Sequence, residues 1–249
     1  MSKQNRSNYD KFPVVPVSDT RCAVGWTEIA LRLEQRIRPG RFILAVECYP
    51  GCFEKEIQSE LVAALNPQLV ICASNAFLPE ERIRALTARD LGDDPVFGFM
   101  NNYELEEFFD PNKVTSFQNE IENASGLVVV IGTGATLIPL RWDLLVYADM
   151  ARWEIQRRQR ANELSNLGLD NPTERASLKY KRAFFVDWRA ADRLKKGLLH
   201  KIDFLLDTNE RNSPKLITGT ELAKGLNDAA RRPFRVVPFF DPGRGADSG

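Results

Sequence analysis

The chain has 249 residues and a mass of 28.3 kDa, with 43% hydrophobic and 27% charged residues, which excludes a disordered or collagen-like protein and allows one large domain or two small ones. Lys+Arg and Asp+Glu both number 34, so no excess positive charge draws the chain to nucleic acid or to an anionic membrane. It holds no apolar run of about 18 residues, and Met1 to Asn8 is too polar for a signal peptide; a soluble, cytoplasmic protein is expected.

Residues 1–20 read as an arm, because prolines interrupt the apolar stretch Phe12–Val17 and leave it fit only for an edge strand or a docked extended segment. Trp26 to Arg38 carries a helical stripe that stops at Pro39-Gly40. Phe42–Val46 follows as a buried strand, then the turn Tyr49-Pro50-Gly51 and a helix from Glu54 to Leu65. Leu69–Ala73 is a second strand, and Pro79-Glu80-Glu81 opens a helix reaching Arg89. Tyr103–Asp110 and Asn112–Asn123 read as two more helices. Leu127–Ile131 is a strand leading into Gly132-Thr133-Gly134-Ala135, and Leu144–Ala148 is a strand leading into a basic helix, Met150 to Leu164. After a polar linker, Ser165–Thr173, come a strand at Ala183–Trp188, a helix at Ala190–Ile202 and a short strand at Lys215–Ile217. A helix at Thr220–Ala230 and a strand at Phe234–Pro238 complete the series. Residues 21–243 are expected to form one α/β domain, with 180–243 as an extension and 244–249 as a tail.

Continuous apolar strands alternating with amphipathic helices predict a three-layer α/β sandwich around a mainly parallel sheet. Ligands in such sheets bind at the carboxyl ends of the strands. That places Glu47–Phe53, Ser74–Asn75, Gly132–Thr136 and Asp149 on one candidate rim.

The four cysteines, Cys22, Cys48, Cys52 and Cys72, form no C-x-x-C pair and read as reduced, partly buried thiols. His200 is the only histidine, so no three-histidine metal centre is possible, and a Ser-His-Asp device would have to use His200, which reads as structural. No catalytic residue, metal ligand or cofactor is assigned to the chain.

The turn Glu47-Cys48-Tyr49-Pro50-Gly51-Cys52-Phe53-Glu54-Lys55 stands where a phosphate-gripping G-x-x-x-x-G-K-[ST] loop would stand. Laid on that template from Cys48, Phe53 replaces the second glycine, Glu54 the lysine and Lys55 the hydroxyl residue. The grip on a triphosphate is therefore expected to be lost. Gly132-Thr133-Gly134-Ala135-Thr136 fits either an anion-binding nest of amides and hydroxyls or a tight turn packed with small residues. Arg157, Arg158 and Arg160 read first as a solvated helix face supported by a Glu154–Arg158 pair, with a phosphate clamp as the alternative. Asp187 reads as a helix cap.

Several strings together resemble a known family: Asp143 to Gln156, Phe184 to Arg193, Asp207-Thr208-Asn209, Pro214 to Gly219 and Pro233 to Gly243. They are similar to the N-terminal region of class I mannose-6-phosphate isomerase-like proteins, over about Tyr9 to Gly243. That region in turn resembles P-loop nucleoside and uridine kinases, whose strand, turn, helix and Arg-rich lid occur here in the same order. The resemblance implies a kinase-like fold with a degenerate phosphate loop and a role in carbohydrate metabolism. It also implies that the zinc-binding cupin barrel of the isomerase is missing from this chain, so that no isomerase catalytic residue carries over. The expected function is a noncatalytic sugar-phosphate- or nucleotide-binding or regulatory domain, its ligand held near Tyr49, Gly51, Cys52, Gly132, Thr133, Gly134, Thr136, Asp149, Arg157, Arg158 and Arg160. A divergent phosphotransferase using Asp149 or Asp187 as base is one alternative. The other is a scaffold for a second copy or a cupin partner.

Overall fold

The long apolar runs set the centre of the sheet. Phe42–Cys48 (β2) is buried at all seven positions, and Leu127–Gly132 (β4) and Leu144–Asp149 (β5) at five of six each. A strand is buried along its length only when both faces of its sheet are covered. In the computed structural model, which describes residues 22–231, β2 pairs in parallel with both β4 and β5. Beyond them Leu69–Cys72 (β3) pairs in parallel with β4, and Phe204–Asp207 (β6) in parallel with β5. Lys215–Thr218 (β7) and the two-residue Ala23–Val24 (β1) add antiparallel strands at one edge, giving the order β1-β7-β6-β5-β2-β4-β3. The chain thus has the expected α/β fold class with a mainly parallel sheet, and the expected strand, turn and helix stand at β2, residues 49–53 and the helix that starts at Glu54.

Side chains alternate across a sheet, so neighbouring strand positions serve opposite layers. Ile43, Ile71, Val128 and Val130 face a core shared with Ile83 of Glu80–Leu91 (α3) and Ile121 of Pro111–Asn123 (α4). Phe77, Phe108, Phe109 and Val186 complete that layer. Trp26–Glu34 (α1) buries Ile29, Ala30 and Leu33, and touches Glu54–Leu65 (α2), which buries Ile57 and Leu61. The Asp110 side chain accepts the Asn112 N–H and Pro111 opens the first turn, so α4 starts where the sequence signals it.

The expected strand at Ala183–Trp188 is helical instead. Ala176–Arg182 (α6), a π turn at Ala183–Asp187 and Trp188–Leu198 (α7) form one continuous helical run. A short apolar run has no period that separates strand from buried helix. The deciding signal is Tyr180, Phe184 and Trp188 at spacings of four, which places their rings together: Tyr180 lies 6.1 Å from Phe184 and 5.6 Å from Trp188. The helix expected at Tyr103–Asp110 is only a 3-10 turn at Leu105–Phe108. The basic helix is shorter than expected, Arg152–Arg160 (α5), and Asn162, at φ 59°, takes the left-handed conformation just after it. The strands β1 and β6 and the helix α6 were not expected.

The compact unit bounded by residues 21 and 219 contains the seven strands found among the described residues. A second unit includes most of the helix Gly219–Ala230 (α8), which has Glu221 in its first turn. The expected arm, the strand at Phe234–Pro238 and the tail lie outside the described residues.

Leu44, fully buried in β2, and Leu31, 54% exposed on α1, give a paired test of the core. Leu44→Ala is expected to cost about 2–5 kcal/mol in urea unfolding and Leu31→Ala less than about 0.5 kcal/mol.

Candidate functional site

Glu47 is the one charged residue in the apolar strand β2, and it is buried with 1% exposure. Its carboxyl group crosses to the turn after β4. Gly134 N–H donates to Oε1 at 2.6 Å, while Thr136 donates to Oε2 from its N–H at 2.9 Å and its hydroxyl at 2.8 Å. Glu54, at the start of α2, takes the next donor pair: the Thr133 N–H at 2.9 Å and hydroxyl at 3.0 Å both reach its Oε1. The Gly132–Thr136 turn is therefore a nest of amides and hydroxyls whose anion is supplied by the protein itself. Gly134 has φ 85°, and a Cβ there would collide with the Phe109 ring, so the turn needs glycine. Burial raises the Glu47 carboxyl from 4.5 to about 7, with Glu54 adding to the rise and the Thr136 and Gly134 bonds opposing it. Burial also raises Glu54.

The turn after β2 has turned its own amides inward. Tyr49 N–H donates to Ala148 O, Cys52 N–H to Tyr49 O and Glu54 N–H to Cys52 O, at 2.8, 3.1 and 3.0 Å. Amides that cradle a phosphate must instead point at the ligand. Gly51 sits at φ 118°, and a Cβ there would come within 2.7 Å of Ile155 Cγ1, so α5 packs directly on this turn. Cys52 Sγ donates to Ala148 O at 3.5 Å and lies 3.4 Å from Thr208 Oγ1; burial pushes this thiol up to about 12, leaving it unreactive at neutral pH.

The three arginines divide. Arg158 is fully buried and acts as a strut: it donates to Gly51 O, Thr208 O and Asn209 O, and to Glu154 Oε1 at 3.0 Å. Its guanidinium lies 4.0 Å from the Phe53 ring centroid, with Arg211 at 4.2 Å from the same ring. Arg157 is exposed and pairs with Glu154 through two nitrogens. Arg160 is exposed. The geometry therefore fits the helix-face reading for Arg157 and Arg160, whereas Arg158 is a tertiary strut rather than part of a solvated face.

The chain leaves β2 toward β3 and β5 toward β6, so the switch point falls between β2 and β5. A polar network fills it. Tyr49 Oη donates to Asp192 at 2.9 Å and accepts from Arg152, which also donates to Asp192, and Lys195 pairs with Asp149. Asp187 is no helix cap. It is buried in the π turn, where its Oδ2 accepts from Asn166 Nδ2 at 2.6 Å and Leu167 N–H at 3.3 Å.

The open space lies on the other side of β2. A cavity of about 1140 Å³ opens at the carboxyl ends of β2, β4 and β3, walled by the start of α2 and by residues 163–170. Of the expected residues, Gly51, Cys52 and Thr133 line it; Tyr49, Gly132, Gly134, Thr136, Asp149, Arg157, Arg158 and Arg160 do not. The sequence places Glu47 on the rim without giving it a role, and it does not point to Lys113, Arg211 or the 163–170 wall. Glu47 carried a signal, a carboxylate inside an apolar strand. The others carried none, since tertiary folding alone assembles them. Among the lining cations, Lys113 donates to Phe77 O and Arg211 lies near Glu56 and Glu163, whereas Lys55 makes no contact of this kind among the described residues. Among the described residues no group of His, Cys, Asp or Glu is arranged to hold a metal ion, and no helix is long and apolar enough to cross a membrane.

These features define an α/β domain whose Gly132–Thr136 nest is closed by its own carboxylates and whose cavity lies beside it. Residues 25–231 match the family described as a domain of unknown function, DUF8485, and the chain belongs to that family. No curated protein matches the sequence. The chain is similar to a solved structure, a protein provisionally described as a fructose transport system kinase from Silicibacter sp. TM1040. The two are 18% identical, with 68% of this chain and 94% of that chain covered and a TM-score of 0.42.

Three variants check the site's physical basis. Because Glu47 titrates near 7 when folded and near 4.5 when unfolded, the folded chain keeps a proton that the unfolded chain releases between those values. Its contribution to stability therefore falls as pH rises through that window, and Glu47→Gln should flatten this part of the stability–pH curve in urea unfolding. Arg158→Met is expected to lower stability by roughly 3 kcal/mol or more by leaving buried acceptors without a donor. Arg157→Ala should leave the thermal midpoint unchanged.

Proposed function

We propose that this domain is a noncatalytic binding module that holds a small polar ligand, a sugar phosphate or a nucleotide monophosphate, in the rim cavity and transfers no phosphoryl group. The observation that carries this reading is the occupation of the Gly132–Thr136 nest by Glu47 and Glu54. Phosphoryl transfer rests on positioning and charge compensation for the β- and γ-phosphates. Here the donors that would supply both are already bound.

The cavity lining favours a ligand with little negative charge. Glu54, Glu56, Glu80, Glu163 and Asp170 face three cations, of which only Lys55 is uncommitted. Ser74, Asn75, Ser165 and Gln58 offer hydrogen bonds to hydroxyls or a base edge. A single phosphate can be met by Lys55; a triphosphate meets mostly carboxylates. Neither candidate base is free for catalysis, since Lys195 holds Asp149 and Asp187 is buried behind Asn166 and Leu167. The strings that resemble mannose-6-phosphate isomerase-like proteins make carbohydrate phosphates the first ligands to try.

Titration calorimetry of the full chain with mannose 6-phosphate, fructose 6-phosphate, uridine monophosphate and magnesium ATP tests the reading. A monophosphate is expected to bind, with affinity reduced at least tenfold by Lys55→Ala, a loss of about 1.4 kcal/mol, and magnesium ATP to give no heat. Silence from every monophosphate at millimolar concentration, or ADP release in a coupled assay with any sugar or nucleoside, would reject it.

A further inference from the structure

Two surfaces of the 21–219 unit are left unused by the rim site. The first is the segment 92–107. Val96, Phe97, Phe99 and Met100 are 62, 70, 73 and 50% exposed, a run of apolar side chains facing water. The backbone beneath them is pinned. Asp94 Oδ1 accepts the N–H groups of Val96 and Phe97 at 2.7 Å, Phe99 N–H donates to Asp90 O, and Asn101 N–H to Phe185 O. Asn101 Nδ2 donates to Val186 O, and Arg193 to Tyr103 O at 2.5 Å. The aromatic rings are thus presented on a fixed frame, which lowers the ordering cost of binding. The same segment carries Asp93, Asp94, Glu104, Glu106 and Glu107, and no lysine or arginine.

The second surface is the outer face of α5. Trp153 is 70% exposed. Arg157 and Arg160, both exposed, follow it by four and seven positions and so share its face of the helix. Of the helix's four arginines, Arg158 is buried and Arg152 bonds Asp192, so Arg160 and Arg157, the latter paired with Glu154, make the basic part of this face. Tryptophan and arginine are the residues that carry most energy in protein interfaces.

The two surfaces are tied to different residues of the α6–α7 run. The 92–107 segment bonds to Phe185, Val186 and Arg193, whereas Arg152 of α5 meets the Trp188 ring at 5.0 Å and Asp192 at 2.5 Å. They are matched in kind, apolar centre to apolar centre and acidic rim to basic rim. We infer that this chain binds a second copy of itself head to tail, the 92–107 segment of one copy seated on the Trp153 face of α5 of the next. Such a contact closes into a ring or extends as a filament, according to the rotation between copies.

Light scattering during size-exclusion chromatography of the full chain tests this. Phe99→Glu disables one surface and Trp153→Glu the other; both positions are exposed, so the far-ultraviolet circular dichroism spectrum should match the wild type and a cooperative thermal transition confirms that each variant folds. The wild type is expected to run above its monomer mass of 28.3 kDa and to dissociate as salt rises. Each variant should run as a monomer. An equimolar mixture of the two should recover a two-chain complex and nothing larger, because each variant keeps the surface the other lacks. A monomeric wild type at sub-millimolar concentration, a variant that keeps the wild-type mass, or a mixture that stays monomeric would overturn the inference.

Discussion

A carboxyl group buried among amide hydrogens fixes the geometry of the whole rim. The turn after β4 brings the N–H groups of Thr133, Gly134 and Thr136 into the interior, and buried backbone donors must find acceptors. Glu47 and Glu54 provide them from β2 and α2. Because those partners are covalently part of the chain, the turn keeps its shape without a ligand. Arg158 does the corresponding work across the turn after β2, fixing Gly51 to the carbonyls that follow β6.

The consequence is a displaced opening. In a doubly wound sheet the crevice is expected at the switch point, between β2 and β5. Tyr49, Arg152, Asp192, Lys195 and Asp149 occupy that position. Partly exposed pairs of this kind contribute little stability each. Their effect is positional, because they hold α5 and α7 over the strand ends. The accessible volume shifts toward β4 and β3, where residues 163–170 close it from the side.

The strands β2, β3, β4 and β5 were legible because each holds at least four consecutive apolar residues, a pattern that needs no partner information, whereas the two-residue β1 and the four-residue β6 were not. The turn residues were legible for a similarly local reason: Gly132 and Gly134 mark backbone bends, and Glu54 is a carboxylate at the start of a helix that follows a buried strand. The Ala183–Trp188 segment was misread because five apolar residues among six carry no decisive period, and the stack of Tyr180, Phe184 and Trp188 extends beyond that window. The division among Arg157, Arg158 and Arg160 was also out of reach. Only the approach of Phe53 and the Thr208–Asn209 carbonyls, distant in sequence, separates a strut from two surface cations. The cavity was half legible: its floor comes from strand ends that the pattern located, its wall from a linker that composition alone described as polar.

The antiparallel edge has a bearing on how the chain assembles. Ala23 pairs with Leu216 and Val24 with Lys215, while β7 itself rests on β6. During synthesis the earliest strand of the sheet must wait for nearly the last. The five parallel strands can collapse while translation continues, but β1 has nowhere to dock until β7 emerges from the ribosome. Completion of this border is thus a late step in folding, and a chain released early would expose β6 as an open sheet margin.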